Sequence, residues 1–511
     1  MTVFAGVRTE LIVYPTGGWG VRSVMPLAGV AAAFAVTQLV FVGPGFGWGW
    51  DETVYLSQVT PHVPDLHFSA PRARGVTWLA WPAAHFTPDE APVRLWMTAV
   101  SAAGLVVAYL PWLRLVGSAV TALAALLLAG LWVVQFYGAA VMPNLPLAYA
   151  CVAAAGCFLL AVTRDSRPAL LGLGVSVAVA ALIRPGDSLW LAAPLVLAAL
   201  AVRRWRRPGV VAVVAGAVAA GWAPWVIEAY TGYGGLLTRL RRASEIQGHL
   251  RPTVGFWYQF KALNGPALCR PCGRPPTYPI LSLWIFALPV AVLGGLWSVR
   301  RREEFRLYAT AAACGVAVAV PYLALVDYAA PRFLIPAYAL LALPVARCLL
   351  WLAGLRPRPV FAGLVAAGLL AHLVVQHVVL QRRVATTGES RVAMHEVAAA
   401  LQAAGVRQPC LLAGPAADPP LPYYAGCGNG PVSRASAYVT RGGKIPRSVA
   451  GWRELEIDAG PGAPWVIRLR PGLGQPARDS GGRAGPGCPP PPGRPGSAAG
   501  CGSPSAAPRS R

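Results

Sequence analysis

Residues 24–58 read VMPLAGVAAAFAVTQLVFVGPGFGWGWDETVYLSQ, and this stretch decides the fold. Positions 24 to 42 carry no charged side chain, and about 20 apolar residues in a helix match the hydrocarbon thickness of a bilayer. The run ends in a Gly- and Trp-rich turn, beyond which two adjacent carboxylates, Asp51 and Glu52, stand close to hydrocarbon. No small-residue cleavage site precedes the polar loop, so the run is expected to stay as an anchor.

The same pattern repeats along the chain. Apolar runs predict eleven transmembrane helices, near 24–42, 95–113, 117–137, 145–163, 168–183, 188–202, 209–228, 279–299, 307–326, 333–352 and 359–380. Of 511 residues, 56% are hydrophobic and 13% charged, where a soluble domain carries roughly a quarter charged residues. Mean hydropathy is +0.51. These values exclude a soluble globular class and imply an all-α polytopic membrane protein.

A net charge of +24 could suggest nucleic acid, but lysine occurs only at Lys261 and Lys444 and much of the arginine borders apolar runs. Such placement orients a membrane chain. Arg114, then Arg164 and Arg167, then Arg203 to Arg207, then Arg300 to Arg302 with Arg306, then Arg356 and Arg358 fall in alternate short loops. That asymmetry predicts a multi-pass plasma-membrane protein with a cytoplasmic N-terminus and, after eleven spans, an external C-terminus. The loop 231–278 departs from the rule, and its Arg239, Arg241 and Arg242 are candidates for docking an anionic headgroup.

Three regions are expected: a transmembrane domain over 1–383, a small external α/β domain over 384–469 and a disordered Pro/Gly-rich tail over 470–511. The second begins with a short amphipathic helix at 395–404 and a strand at 409–413. The tail lacks the apolar periodicity needed to bury a core. Cys269 and Cys272 read as a local disulfide and Cys410 with Cys427 as a second, the alternative being a zinc site from all four. Cys151, Cys157, Cys314 and Cys348 read as packing residues, and His62, His67, His85 and His249 as ordinary loop histidines.

Two readings fit Asp51 and Glu52. They can cap a juxtamembrane helix and stabilise its dipole by about 1 kcal/mol, or a carboxylate at the water–lipid boundary can take a proton from a hydroxyl. Walker, Rossmann, His-Glu-x-x-His and Gly-x-Ser-x-Gly patterns do not occur in the sequence, which leaves soluble-nucleotide and triad chemistry without support.

An apolar first span followed by Asp51-Glu52-x-x-Tyr55 resembles the C superfamily of membrane glycosyltransferases, GT-C, in its protein O-mannosyltransferase and aminoarabinose-transferase branch. Arg74 to Leu79, Arg94-Leu95, Met142 to Ala148, Ile183-Arg184-Pro185 and Pro331 to Pro336 resemble that branch in the same order, over roughly the first 380 residues. The resemblance implies a GT-C-like fold and sugar transfer from a polyprenyl-phosphate lipid to a hydroxyl of a glycan, lipid or protein on the outer face. It implies Asp51 and Glu52 as catalytic, and Tyr55, Arg74, Asn144, Arg184 and Arg332 as substrate-binding, arginine being suited to bidentate phosphate contact. Many relatives carry an acid where this chain has Asn144, a poor ligand for a hard cation. A divalent cation is therefore the only cofactor left open, and Asn144 argues against it. A lipid or glycan transporter or flippase, and an inactive scaffold of the same fold, remain as alternatives.

Overall fold

The computed structural model describes residues 20–61, 63–264, 268–273, 275–276 and 278–472. His62 and the tail from residue 473 lie outside the described residues.

The helices run in order α1 (Val21–Thr37), α2 (Trp50–Ser57), α3 (Gly75–Ala84), α4 (Glu90–Ala129), α5 (Trp132–Gly138), α6 (Asn144–Arg164), α7 (Arg167–Ile183), α8 (Pro185–Ala201) and α9 (Pro208–Gly232). They continue as α10 (Leu236–Ile246), α11 (Phe256–Leu263), α12 (Trp284–Ser298), α13 (Phe305–Ala324), α14 (Ile335–Ala353), α15 (Arg358–Ala403) and α16 (Pro420–Ala425). Eight described helices are long and apolar enough to cross a membrane. The other three expected spans are the shorter apolar α7 and α8 and the second half of α4. The runs 95–113 and 117–137 fall on α4 and α5: α4 is two helices joined across a kink at Gly117, whose φ of 84° only glycine adopts cheaply, and the second run passes from α4 into α5 through residues 130–131. The chain is thus a multi-pass membrane protein of mostly helical build.

Helix α6 is at the centre, buried nearly end to end, with α4, α7, α13 and α14 around it. Apolar side chains turned outward, such as Val36, Leu171 and Val290, suit lipid contact. Helices pack in lipid by close approach at small residues rather than by hydrophobic exclusion. At Gly156 of α6 an added Cβ would lie 2.8 Å from Trp112 of α4, and at Gly295 of α12 it would lie 2.0 Å from the Pro344 carbonyl of α14.

The bundle has two unlike ends. At one, Arg164 donates to the Arg114 carbonyl and Arg207 pairs with Asp165, gathering the short arginine-rich loops. At the other lie the 43–89 loop with α2 and α3, the α5–α6 and α7–α8 turns, the 233–283 segment and the α13–α14 connection. Arg239 is fully buried there between the rings of Trp225 and Tyr233 and donates to the carbonyls of Ala70, Arg72 and Trp225. It is a tie between loops, not a headgroup ligand as expected, while Arg241 and Arg242 are exposed.

Above this end, β1 (Leu411–Ala413), β2 (Gly428–Asn429), β3 (Ala437–Arg441), β4 (Arg453–Ile457) and β5 (Trp465–Leu469) form one sheet in the order β2-β1-β3-β5-β4. β1 runs parallel to β2 and β3, and β5 is antiparallel to β3 and β4. Val397 and Leu401 of α15 pack on Leu412, Val439 and Ile467 of the sheet. The short helix expected at 395–404 is the last part of α15, which crosses position 384 without a break over its 46 residues. Cys269 is bonded to Cys272, and Cys410 to Cys427, so the zinc alternative falls.

Candidate active site

Asp51 and Glu52 are adjacent on α2, and neighbouring helical residues do not share a face. Their environments are opposite. Glu52 is the third residue of the helix, and its Oε2 accepts from the Gly49 amide at 2.9 Å. Its carboxylate also accepts from Arg94 Nη1 at 2.6 Å and Nη2 at 3.0 Å and from the Val141 amide at 3.0 Å. Arg94 spends its remaining donors on the carbonyls of Phe46, Gly47 and Ala139 and lies 4.5 Å from the Trp48 ring. Both side chains are almost fully buried, at 3% and 2% exposure. Burial works to lift the Glu52 carboxyl, but Arg94 and then Arg391 outweigh it and hold the group below its usual range. This knot joins the 46–52 turn, the start of α4 and the α5–α6 turn, and it engages both oxygens of the Glu52 carboxylate.

Asp51 faces a cavity of about 670 Å³. Its Oδ1 accepts from Arg72 Nη2 at 2.6 Å and its Oδ2 from Arg332 Nη2 at 2.9 Å, and 29% of the side chain stays open. Burial works to raise its carboxyl, yet Arg332 and Arg72 together pull it below the usual carboxylate range. Arg72 lies 4.9 Å over the Tyr55 ring, and Arg332 reaches the Tyr137 hydroxyl at 3.4 Å.

Of the residues expected at the site, Asp51, Glu52, Tyr55, Asn144, Arg184 and Arg332 all line this cavity. Asn144 opens α6 with its side chain buried and its Oδ1 without a hydrogen-bond partner. Arg184 is held by Asp187 at 2.7 Å and donates to the Tyr322 hydroxyl at 2.8 Å. Arg74 is the exception. It turns to Glu228 and to Gln58 Oε1 at 2.9 Å and stacks 4.1 Å over Phe68, tying the first loop to the end of α9 outside the cavity lining.

Sequence reasoning missed Arg72, Arg270, Arg391 and Tyr137, which also line the cavity. Arg391 comes from α15, donates to the Gly47 carbonyl and stacks 4.1 Å from Phe46. An added Cβ at Gly49 would lie 3.0 Å from Arg391 Nη2, so the guanidinium would have to give by a few tenths of an ångström. The donor set does not suit a hard divalent cation. Both Asp51 oxygens accept from guanidiniums, the nearby amide is Asn144, and the described residues hold no group of three or more His, Cys, Asp or Glu placed for a metal.

A second, apolar cavity of about 460 Å³ runs down between α3, α4, α6 and α7, lined by residues such as Val100, Tyr149 and Val179. Tyr137 and Ile183 line both cavities.

No protein-family model and no curated protein matches the sequence. Solved structures do match the fold. ArnT from Cupriavidus metallidurans bound to undecaprenyl phosphate aligns with a TM-score of 0.62 at 14% identity, covering 88% of this chain and 100% of that one. The apo state of the same protein gives 0.60 at 13% identity, over 86% and 97%. The Archaeoglobus fulgidus oligosaccharyltransferase in complex with Zn and sulfate gives 0.52 at 16% identity, over 80% of this chain and 63% of that one. An apolar helical bundle with its loops gathered over a polar cavity, topped by a small sheet, is a GT-C-like fold, the one this chain shares with those structures.

Proposed function

We propose that this chain is a glycosyltransferase that moves a sugar from a polyprenyl-phosphate lipid to a hydroxyl acceptor, with Asp51 as the base. The observation that carries the reading is a carboxylate set between two guanidiniums on the wall of a polar cavity, beside an apolar groove with which that cavity shares Tyr137 and Ile183. The groove suits an isoprenoid chain, and the arginines suit the phosphate that follows it. Similarity to a protein bound to undecaprenyl phosphate favours the same class of donor here.

In the transfer step Asp51 takes the acceptor's hydroxyl proton as the acceptor oxygen bonds to the anomeric carbon. The bond from that carbon to the phosphate oxygen breaks, and its electron pair leaves with the polyprenyl phosphate. The phosphate, a singly charged diester in the donor, gains negative charge as a monoester, which Arg332 and Arg72 are placed to stabilise. Asn144 lines the same cavity, but its Oδ1 is buried and no step is assigned to it. Glu52 positions the turn that carries Asp51, and no step is assigned to it.

The ionisable groups gather at one end of the bundle rather than at mid-bilayer, where a transporter places them. The arginine-rich loops mark the opposite end as cytoplasmic, so the site faces outward. A His85→Cys variant, with Cys488 and Cys501 changed to serine, is expected to react with a membrane-impermeant maleimide on intact cells. Protection until lysis would overturn the orientation.

The test of function is to incubate membranes with radiolabelled polyprenyl-phosphate mannose or arabinose and follow the label. Transfer to a hydroxyl-bearing acceptor is expected. Failure of folded protein to move either label to any membrane or glycan acceptor would overturn the reading. Arg74→Gln is expected to leave donor KM within about twofold, because it removes a partly buried loop tie that lies outside the cavity lining. A tenfold rise in KM would place Arg74 back at the donor.

A further inference from the structure

We propose that Asp51 occupies, in the ligand-free site, the place that the donor's phosphate takes between Arg72 and Arg332, so that the lipid releases its own base. This rests on the transferase reading. A carboxylate whose two oxygens each accept from a guanidinium, at 2.6 Å and 2.9 Å, keeps lone-pair sites but has its charge neutralised by two cations, which makes it a poor base while they hold it. The charged and titratable groups facing it are engaged from every side. Glu52, the next residue of α2, is bonded to Arg94, and Arg184, at the α7–α8 turn, to Asp187. Arg270 donates to the Ile246 carbonyl and Arg391 of α15 to that of Gly47. Tyr137 of α5 touches Arg332, Tyr328 stacks with Arg270, and Asp418 lines the wall nearer the sheet.

A phosphate entering this cavity meets the same two guanidiniums that hold Asp51. Its non-bridging oxygens match a guanidinium fork at least as well as a carboxylate does. Once Arg72 and Arg332 turn to the phosphate, the Asp51 oxygens are open to the acceptor hydroxyl and no longer neutralised. Cleavage extends the exchange: the phosphate gains a negative charge as Asp51 gains the acceptor's proton, so the arginines end on the phosphate and net charge is conserved. An acceptor reaching the empty site meets a masked base, which orders binding as donor first. It also makes Asp51 a competitor of the lipid phosphate product.

The probe is undecaprenyl phosphate, titrated against the purified protein in nanodiscs. Asp51→Asn, which removes the competing charge, is expected to bind it about tenfold more tightly than wild type. Asp51→Glu should bind as wild type does, and Arg332→Gln about tenfold or more weakly. In the wild type, saturating lipid phosphate should increase carbodiimide labelling of Asp51, read by mass spectrometry, which needs no variant to fold. Equal or weaker binding by a folded Asp51→Asn, or labelling that lipid phosphate leaves unchanged, overturns the exchange. A wild type that does not bind undecaprenyl phosphate at all overturns the donor reading beneath it as well.

Discussion

Asp51→Asn is expected to lower the rate of sugar transfer at saturating substrates by about 10² to 10⁴, the usual contribution of a positioned base. The amide keeps the size of the side chain and can still accept a hydrogen bond, so the cavity should hold its shape while losing the group that takes the proton. Donor KM should fall at the same time, since Arg72 and Arg332 then serve the phosphate alone. Loss of kcat with a lowered KM is the pattern left when a ground-state conflict is removed together with a transition-state role. A variant within tenfold of wild type in kcat would remove Asp51 from the chemistry.

The second large effect concerns folding. Arg94→Met leaves the buried Glu52 carboxylate without its bidentate partner, and breaking one side of such a pair costs about 3–5 kcal/mol. The carbonyls of Phe46 and Ala139 lose their Arg94 donor in the same step, each adding a desolvation cost of about 1–3 kcal/mol if water does not replace it, while Gly47 keeps Arg391. Purified protein should be scarce and should melt well below the wild type, measured by size-exclusion chromatography after heating in detergent. The pair Glu52→Gln with Arg94→Gln should recover part of the loss, because no charge is left uncompensated. A wild-type melting profile for Arg94→Met would show that the turn is held by something other than this knot.

The spans were legible because lipid-facing and protein-facing positions are both apolar here, so hydropathy marks crossing segments without saying which way they face. Helix limits were less so. The polar residues 381–394 read as the end of a span and a loop, with Thr386, Thr387 and Gly388 poor helix formers. Helix continues through them because the next turns are held from both sides, by Arg391 against Phe46 and by Ala393, Val397 and Leu401 against the sheet. Tertiary contact overrides local preference there.

Asp51 was legible from its place just beyond an apolar run. Its partners were not, because they lie 21 and 281 residues away in the chain. Arg72 and Arg74 are two residues apart and alike in sequence, and only the folded loop sends the first to Asp51 and the second to Glu228. Glu52 was not separable from Asp51 in the sequence, because both reach the cavity and only the folded chain brings Arg94, from 42 residues away, onto Glu52.

The unbroken course of α15 governs how this chain can be taken apart. A splice at residue 384 would sever a rod that supplies Arg391 to the wall of the cavity and the seat of the sheet at once. Chimeras exchanging the upper region between relatives should therefore carry the entire segment from Arg358 onward. The sheet and the cavity wall share one helix, so an exchanged upper region brings part of that wall with it.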